Sequence, residues 1–263
     1  MKILGLGFNG YVGKNFQQYK PNEIELISTS QKDIDITKQT EIYTAIYKYK
    51  PDVIINCAAE TNEDKSEIKH EDVYNINLTS AINLTRICNE LNVKLVHIDS
   101  CFSEEPTNQY AYAKYGAREV IKKMSPETYI PCMGWLFGGV DSVNFDTLVE
   151  KHLKQHTSLF IDTTIKGSPT YIKDAITHIY DMILSDKTGF EYVANSSDGG
   201  ITRWEMCDEI CKALNTENIF QKTEHFEELA KRPANVSLPG VMRDWKEALI
   251  EYYNKTGENN GTD

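Results

Sequence analysis

The chain has 263 residues, 28 Lys and Arg against 39 Asp and Glu, a net charge of −11 and a pI near 5.1. That length holds one large domain or two small ones, and it buries enough apolar surface to need no disulfide or structural metal. The acidic balance argues against nucleic-acid and anionic-membrane partners, while 40% hydrophobic content and 15 Tyr exclude a wholly disordered chain.

In chain order, Lys2–Leu6 reads as a buried strand followed by a glycine-rich turn, and Glu23–Ser28 as a second strand. Thr37–Lys50 carries Ile42, Ala45, Ile46 and Tyr49 on one helical face and stops at Pro51. Val53–Cys57 is an apolar strand, Asn77–Leu91 a helix, Lys94–Ile98 a strand, Tyr110–Met124 a helix and Tyr129–Trp135 a strand. Strands separated by helices imply an α/β, Rossmann-like, doubly wound parallel sheet with right-handed crossovers.

The second half is less regular. Helical stripes run through Ile172, Ile176, Ile179 and Ile183, and through Met206, Ile210, Ala213 and Leu214. Thr202-Arg203-Trp204-Glu205 has the spacing of a capping box that opens the latter helix. A last amphipathic helix uses Val241, Trp245, Ala248, Leu249 and Tyr252, and the polar stretch 254–263 reads as a disordered tail. No Pro/Gly/Ser linker separates the halves. No apolar run approaches roughly 18 residues, so no membrane span is expected. The opening Met1–Gly7 does not read as a signal peptide. The six cysteines form no CxxC pair, and Cys207 and Cys211 read as small buried hydrophobes; a reducing, cytoplasmic setting is expected.

Three signals carry chemistry. In Gly7-Phe8-Asn9-Gly10-Tyr11-Val12-Gly13, glycines let backbone N–H groups approach a pyrophosphate at a helix N-terminus. A register starting at Gly5 fits the same pattern; the placement between strand and helix raises its weight over that of a plain tight turn. The second strand ends in Ser28-Thr29-Ser30 with Lys32 nearby and no acid at the strand end, which suits the 2′-phosphate of NADP(H) better than NAD(H). Asp35 follows, placed to cap the next helix, to meet the adenine, or both. In Tyr110-Ala111-Tyr112-Ala113-Lys114, Tyr110 and Lys114 share a helical face, and an ammonium there is expected to lower the phenol's pKa. Tyr112 points about 200° away and has Gly116 at its own i+4 position. Ser100, at a strand end, offers a hydroxyl to a substrate carbonyl.

With these residues in order, the chain resembles the extended short-chain dehydrogenase/reductases, and within them the dTDP-4-dehydrorhamnose reductase family. The likeness runs from Met1 to about Tyr253 through Gly7–Gly13, Asp35-Ile36-Thr37, Pro51–Thr61, Asp64–Glu67, Asn77, Leu95-Val96-His97 and Pro106–Glu119. It continues through Gly134–Gly138, Asn144-Phe145, Gly167–Thr170 and Arg232-Pro233. The Trp-x-Phe-Gly, Ser-Pro-Thr and Arg-Pro stretches are its most specific parts. The resemblance implies NADPH-dependent reduction of the C4 ketone of a nucleoside-diphosphate-linked 4-keto-6-deoxy sugar. Tyr110 would donate the proton, Lys114 would hold the cofactor ribose, and Ser100 would polarise the ketone. Gly7, Gly10, Tyr11, Val12, Gly13, Ser28, Thr29, Asp35, Ile36, Ala58, Ala59 and Thr61 are the expected cofactor positions; Trp135, Pro169 and Arg232 lie on the substrate side, although core packing explains Trp135 equally well. No metal is implied.

The expected division is a dinucleotide-binding domain over 1–140 and about 170–189, and a substrate lobe over about 141–169 and 190–253, in a chain able to form a homodimer. The family usually has an aspartate-tyrosine pair and a long loop after the catalytic hydroxyl. Here Ser100-Cys101-Phe102 reaches Tyr110 in ten residues, which puts substrate closure and sugar selectivity in doubt. Two other readings follow from the resemblance: a non-catalytic binding subunit, like the regulatory β subunit of methionine adenosyltransferase, and a UDP-sugar epimerase–reductase. The intact Ser100, Tyr110 and Lys114 weigh against the first.

Overall fold

The structure is a computed structural model that describes residues 1–224 and 229–259. It comprises two compact units. The first takes in Met1–Cys132, Ile176–Glu191 and the stretch 229–233, and the second the other described residues.

The first unit is built on β1 (Lys2–Leu6), α1 (Tyr11–Gln18), β2 (Glu25–Ser28), α2 (Gln39–Tyr49), β3 (Val53–Asn56), α3 (Glu63–Ile68), α4 (His70–Val73), α5 (Ser80–Leu91), β4 (Lys94–His97), β5 (Asp99–Ser100), α6 (Gln109–Met124) and β6 (Tyr129–Met133). Its sheet has the order Gly189–Val193, β6, β4, β3, β1, β2, with β5 paired to β6. The pairs β2–β1, β1–β3, β3–β4 and β4–β6 are all parallel. Because the chain leaves β1 toward β2 on one side and returns to β3 on the other, the connections diverge at β1 and β3. In an open parallel sheet this is where ligands bind, beyond the C-terminal strand ends.

The strands are apolar because both faces are covered. Ile3, Ile54 and Ile55 have no solvent exposure, and Ile54 forms one core cluster with Leu4, Leu6, Ile42, Ile46, Leu84 and Ile87. The second unit has its own core of Phe137, Val149, Met206, Ile210, Trp245 and Leu249. Its helix Arg203–Ala213 opens with the expected capping box: the Glu205 amide donates to Thr202 Oγ1 and the Thr202 amide donates to Glu205 Oε2.

Four elements differ from the sequence expectation. The strand expected over Tyr129–Trp135 is two strands, β6 and Trp135–Phe137, the latter paired with Pro169–Tyr171. They part at Gly134, where a Cβ would lie 2.4 Å from the Ser168 carbonyl oxygen. The helix expected from Asn77 begins as a π turn over Tyr74–Thr79, because Asn77 turns inward to the loop after β3. A helix over Phe145–Lys154 had not been anticipated. The expected disordered tail is instead helical as far as Asn259, within the helix Trp245–Asn259; residues 260–263 lie outside the described residues. Polarity alone does not end a helix, and Lys255 pairs with Glu251 one turn back.

That ion pair belongs to a cluster. Arg243 Nε and Nη2 donate to the two Asp174 carboxylate oxygens at 2.8 and 2.9 Å, Arg243 Nη1 reaches Glu251 at 2.7 Å, and Lys173 reaches Glu251 at 2.9 Å. The Glu251 carboxyl is held down to about 2, first by Lys255, then by Lys173 and Arg243. Its folded value is depressed, so its contribution to stability is complete above the ordinary glutamate range and is lost as the pH falls toward 2. Thermal melts of Glu251→Gln should therefore show a shallower loss of stability below about pH 4.5 than the unmodified chain. At neutral pH, solvent screening keeps the cost to about 1 kcal/mol or less. Parallel acid profiles for the two proteins would show that the cluster contributes nothing.

Candidate active site

The glycine loop between β1 and α1 uses its three glycines differently. Gly7 has φ +73°, and a Cβ there would lie 2.7 Å from the Ala58 backbone after β3. At Gly13 a Cβ would lie 2.2 Å from Phe8 Cα, so the first turn of α1 packs on the loop only without a side chain. Gly10, the N-cap of α1, has extended backbone and no atom closer than 3.4 Å to a Cβ. The protein's own packing therefore demands glycine at 7 and 13 but not at 10. Open space at the N-cap, beside the N–H groups of a helix start, fits a pyrophosphate. Tyr11 and Val12, half-buried, open that helix.

At the end of β2 the hydroxyls are unequal. Thr29 is buried and its Oγ1 donates to the Gly5 carbonyl at 2.8 Å, tying β2 to β1. Ser30 donates to Asp33 at 2.7 Å, and the Ser30 amide and hydroxyl hold the Asp33 carboxyl below its usual range. Ser28 and Lys32 are exposed. Asp35 accepts from the Thr37 amide at 3.0 Å and the Thr37 hydroxyl at 2.7 Å, and lies 3.7 Å from Lys38. It closes the turn before α2, whose N-cap is Lys38. Ile36 is buried in the core, and Ala58 packs against the same cluster. The loop of Ala58, Ala59 and Thr61 is fixed at Glu60: the Glu60 amide donates to Asn77 Oδ1 at 2.9 Å, and Asn77 Nδ2 donates to the Glu60 carbonyl at 2.8 Å.

The entry of α6 positions Tyr110. Asn108 caps the helix by accepting from the Ala111 amide at 2.9 Å, and the Gln109 amide donates to Glu67 at 2.7 Å. Tyr110 is 7% exposed, whereas Tyr112, two residues on, is 48% exposed. The Ser100 hydroxyl acts on the Tyr110 phenol, favouring its ionised form. Lys114, one turn further, is buried and donates to the Ile98 carbonyl at 2.6 Å. The short Ser100–Tyr110 connection thus brings the hydroxyl and the phenol together.

The electrostatics reverse one expectation. Burial pushes the Tyr110 phenol well above its ordinary value, Ser100 opposes the shift, and the charges of Glu63 and Asp99 add to it. The expected lowering by Lys114 does not occur: its ammonium is turned to the Ile98 carbonyl, and desolvation of the phenolate outweighs the rest. Tyr110 accordingly holds its proton throughout the neutral range.

Arg232 lies in the first unit. Its Nη2 is 3.3 Å from Glu63 Oε2 and 3.7 Å from Asp64 Oδ1. Its segment is anchored by Thr107 and Asn108, which donate to the Lys231 carbonyl at 2.8 and 3.0 Å. In the second unit, Trp135 and Pro169 are paired across two short strands. The indole is 5% exposed, with Gly167 against it, the Arg203 guanidinium 3.8 Å from the ring centre, and a buried N–H without a hydrogen-bond partner among the described residues. Glu63, Asn108 and Arg203 had been given no role at the site from the sequence; acidic, turn and helix-start residues of this kind carry no spacing signal for such a role. Among the described residues no group of three metal-ligating side chains gathers, and no helix is long and apolar enough to cross a membrane.

A parallel sheet with a glycine loop at its switch point, a serine at the end of β5 and a tyrosine and a lysine one turn apart on α6 defines a reductase of the extended short-chain dehydrogenase type. Residues 1–255 match the family model of the RmlD substrate binding domain, and the chain belongs to that family. It is 27% identical over 278 residues to the spore coat polysaccharide biosynthesis protein SpsK of Bacillus subtilis, covering 95% of this chain and 96% of the relative. A dTDP-4-dehydrorhamnose reductase from Clostridium acetobutylicum superposes with a TM-score of 0.88 at 27% identity, covering 98% of this chain and all of that one. A Bacillus anthracis dTDP-4-dehydrorhamnose reductase solved with NADP superposes with a TM-score of 0.89 at 24% identity, covering 97% and 99%, and shares the fold.

The glycine loop gives a paired test. Gly13→Ala should lower the melting temperature, because backbone would have to move. Gly10→Ala should fold normally and weaken NADPH binding by tenfold or more, roughly the 1.4 kcal/mol of one lost close contact. Unimpaired NADPH binding by Gly10→Ala would remove the loop from the cofactor site.

Proposed function

We propose that this protein is an NADPH-dependent reductase of the C4 ketone of a nucleotide-linked 4-keto-6-deoxy sugar, dTDP-4-dehydro-L-rhamnose or a close analogue. The observation that carries the reading is the buried Tyr110 with Ser100 acting on its phenol and the buried Lys114 one helical turn away, in a chain whose glycine loop leaves open space at Gly10. Its support from relatives is the name borne by the Clostridium acetobutylicum structure, and the NADP bound in the Bacillus anthracis one.

Gly7–Gly13 would hold the pyrophosphate, Asp35, Ile36, Ala58, Ala59 and Thr61 the adenosine side, and Lys114 the nicotinamide ribose. NADPH supplies the hydride for the carbonyl carbon. Ser100 donates a hydrogen bond to the carbonyl oxygen and favours the negative charge that develops there. Tyr110 then gives that oxygen its phenolic proton. A phenol that keeps its proton at neutral pH is available to serve as that acid. On the sugar-nucleotide side, Arg232 offers the planar donor fork that suits a diphosphate, and Trp135 and Pro169 are the remaining candidates. Glu63 and Asp64 already pair with Arg232, so a diphosphate must compete with them.

Purified protein with NADPH and a panel of nucleotide-linked 4-keto-6-deoxy sugars should consume the reduced cofactor. Tyr110→Phe should lower kcat by about 10²–10⁴ with NADPH affinity little changed, and Tyr112→Phe should do little. Equal losses in the two variants, or no turnover with any sugar, would move the weight to a binding subunit. Exposed Ser28 and Lys32 favour the 2′-phosphate, so NADPH should bind more tightly than NADH; equal or tighter NADH binding in titrations would overturn that preference.

A further inference from the structure

Behind Lys114 lies a knot of charge that the cofactor and substrate residues do not explain. The Asp99 side chain has no solvent exposure, and those of Lys114 and Arg118 are 6% and 8% exposed. Asp99 Oδ2 accepts from the Ser103 hydroxyl at 2.8 Å and from Arg118 Nη1 at 3.4 Å. Asp99 Oδ1 has no hydrogen-bond partner among the described residues and lies 4.0 Å from Lys114 Nζ. Arg118 is itself clamped. It donates to the Ser103 hydroxyl at 2.9 Å and to the Ser103 carbonyl at 3.1 Å, pairs with Glu104, and has the Tyr115 and Phe190 rings against its guanidinium.

A buried ammonium with one carbonyl acceptor is a costly group, and it tends to lose its proton unless an anion faces it. The titratable groups that act on Lys114 come from four places. Cys57 follows β3, His97 ends β4, Asp99 lies in β5 and Cys132 in β6. Burial pushes both thiols up and the imidazole far down, so these three are neutral at neutral pH. That leaves Asp99. Burial presses the Lys114 ammonium toward deprotonation, and Asp99 is the first charge opposing it.

We infer that Asp99 is a positioning residue for the reductase: its carboxylate is the fixed counter-charge that keeps Lys114 an ammonium in a dry site, with Ser103 and Arg118 holding the carboxylate in place. The inference rests on the role given above to Tyr110 and Lys114. It also explains how the connection from Ser100 to Tyr110 works without a long loop. Ser103 and Glu104, which lie within it, are bonded to Arg118 on the same helix as Tyr110 and Lys114.

The test follows Lys114 itself. In cofactor-free protein labelled at the lysine Cε, with the signal assigned through Lys114→Arg, NMR should show Lys114 as an ammonium at neutral pH. In Asp99→Asn its titration should move down by about one pH unit or more. NADPH oxidation by that variant should fall by about tenfold at alkaline pH and recover as the pH is lowered, because acid restores the ammonium. A lesion in packing alone would not be rescued by acid. A neutral Lys114 amine in the unmodified protein at neutral pH, or an unchanged Lys114 titration in folded Asp99→Asn, overturns the inference; if Asp99→Asn does not fold, the unmodified protein decides. The titration uses no substrate, so a protein that reduces no sugar nucleotide would sink the proposed function and leave the Lys114 measurement standing on its own.

Discussion

Gly7 lies against the Ala58 backbone so closely that any side chain would overlap it. That approach follows from the parallel register of β1 and β3, in which Leu6 stands opposite Asn56 and both strands end together. The ends carry the glycine loop on one side and the 57–61 loop on the other. Their closeness leaves the N-terminus of α1 open beside them, and it places Asn56, with Ala58 donating to its side chain, against His97 of the next strand. Ser100 follows two residues after Ile98, whose carbonyl receives Lys114. A larger residue at position 7 would therefore disturb more than a turn, because the spacing of three strand ends depends on it.

A second constraint is the handling of charge without water. The sheet interior has no room for an unpaired ion, yet Lys114 is buried there. The solution visible here is a chain of partners, each with limited exposure, running from Lys114 through Asp99 and Ser103 to Arg118 and Glu104. Only its far end, Glu104, reaches solvent to any degree, with 26% side-chain exposure. The charges are thus graded from dry to wet, and the dry end is the one beside the phenol.

Much of this was legible in the sequence wherever periodicity and order speak together. The strand–glycine–helix opening, the alternation that follows and the Thr202–Glu205 capping box are local patterns with one good physical solution. The Tyr110–Lys114 face was readable because spacing alone sets it. What could not be read were interactions between distant segments. Thr29 looked free in the sequence but is committed to Gly5; Arg232 looked free but is met by Glu63 and Asp64. The sign of the Tyr110 shift depended on burial, which the helix spacing does not report. The helix Phe145–Lys154 did carry a signal, in Phe145, Val149 and Leu153 at fourfold spacing.

The π turn over Tyr74–Thr79 carries a consequence for the way such a chain can change by insertion and deletion. A π turn is a helix with one residue too many, and here the surplus residue is what lets Asn77 face Glu60 while Ser80–Leu91 keeps its own buried stripe. Removing any one residue from this stretch would restore an ordinary helix and turn Asn77 by about 100°. The helix would survive, its packing would survive, and the 57–61 loop would lose both of its ties to Asn77 at once. Length at this point is therefore fixed as firmly as identity, and substitutions are far easier to accommodate here than a change of one in the count.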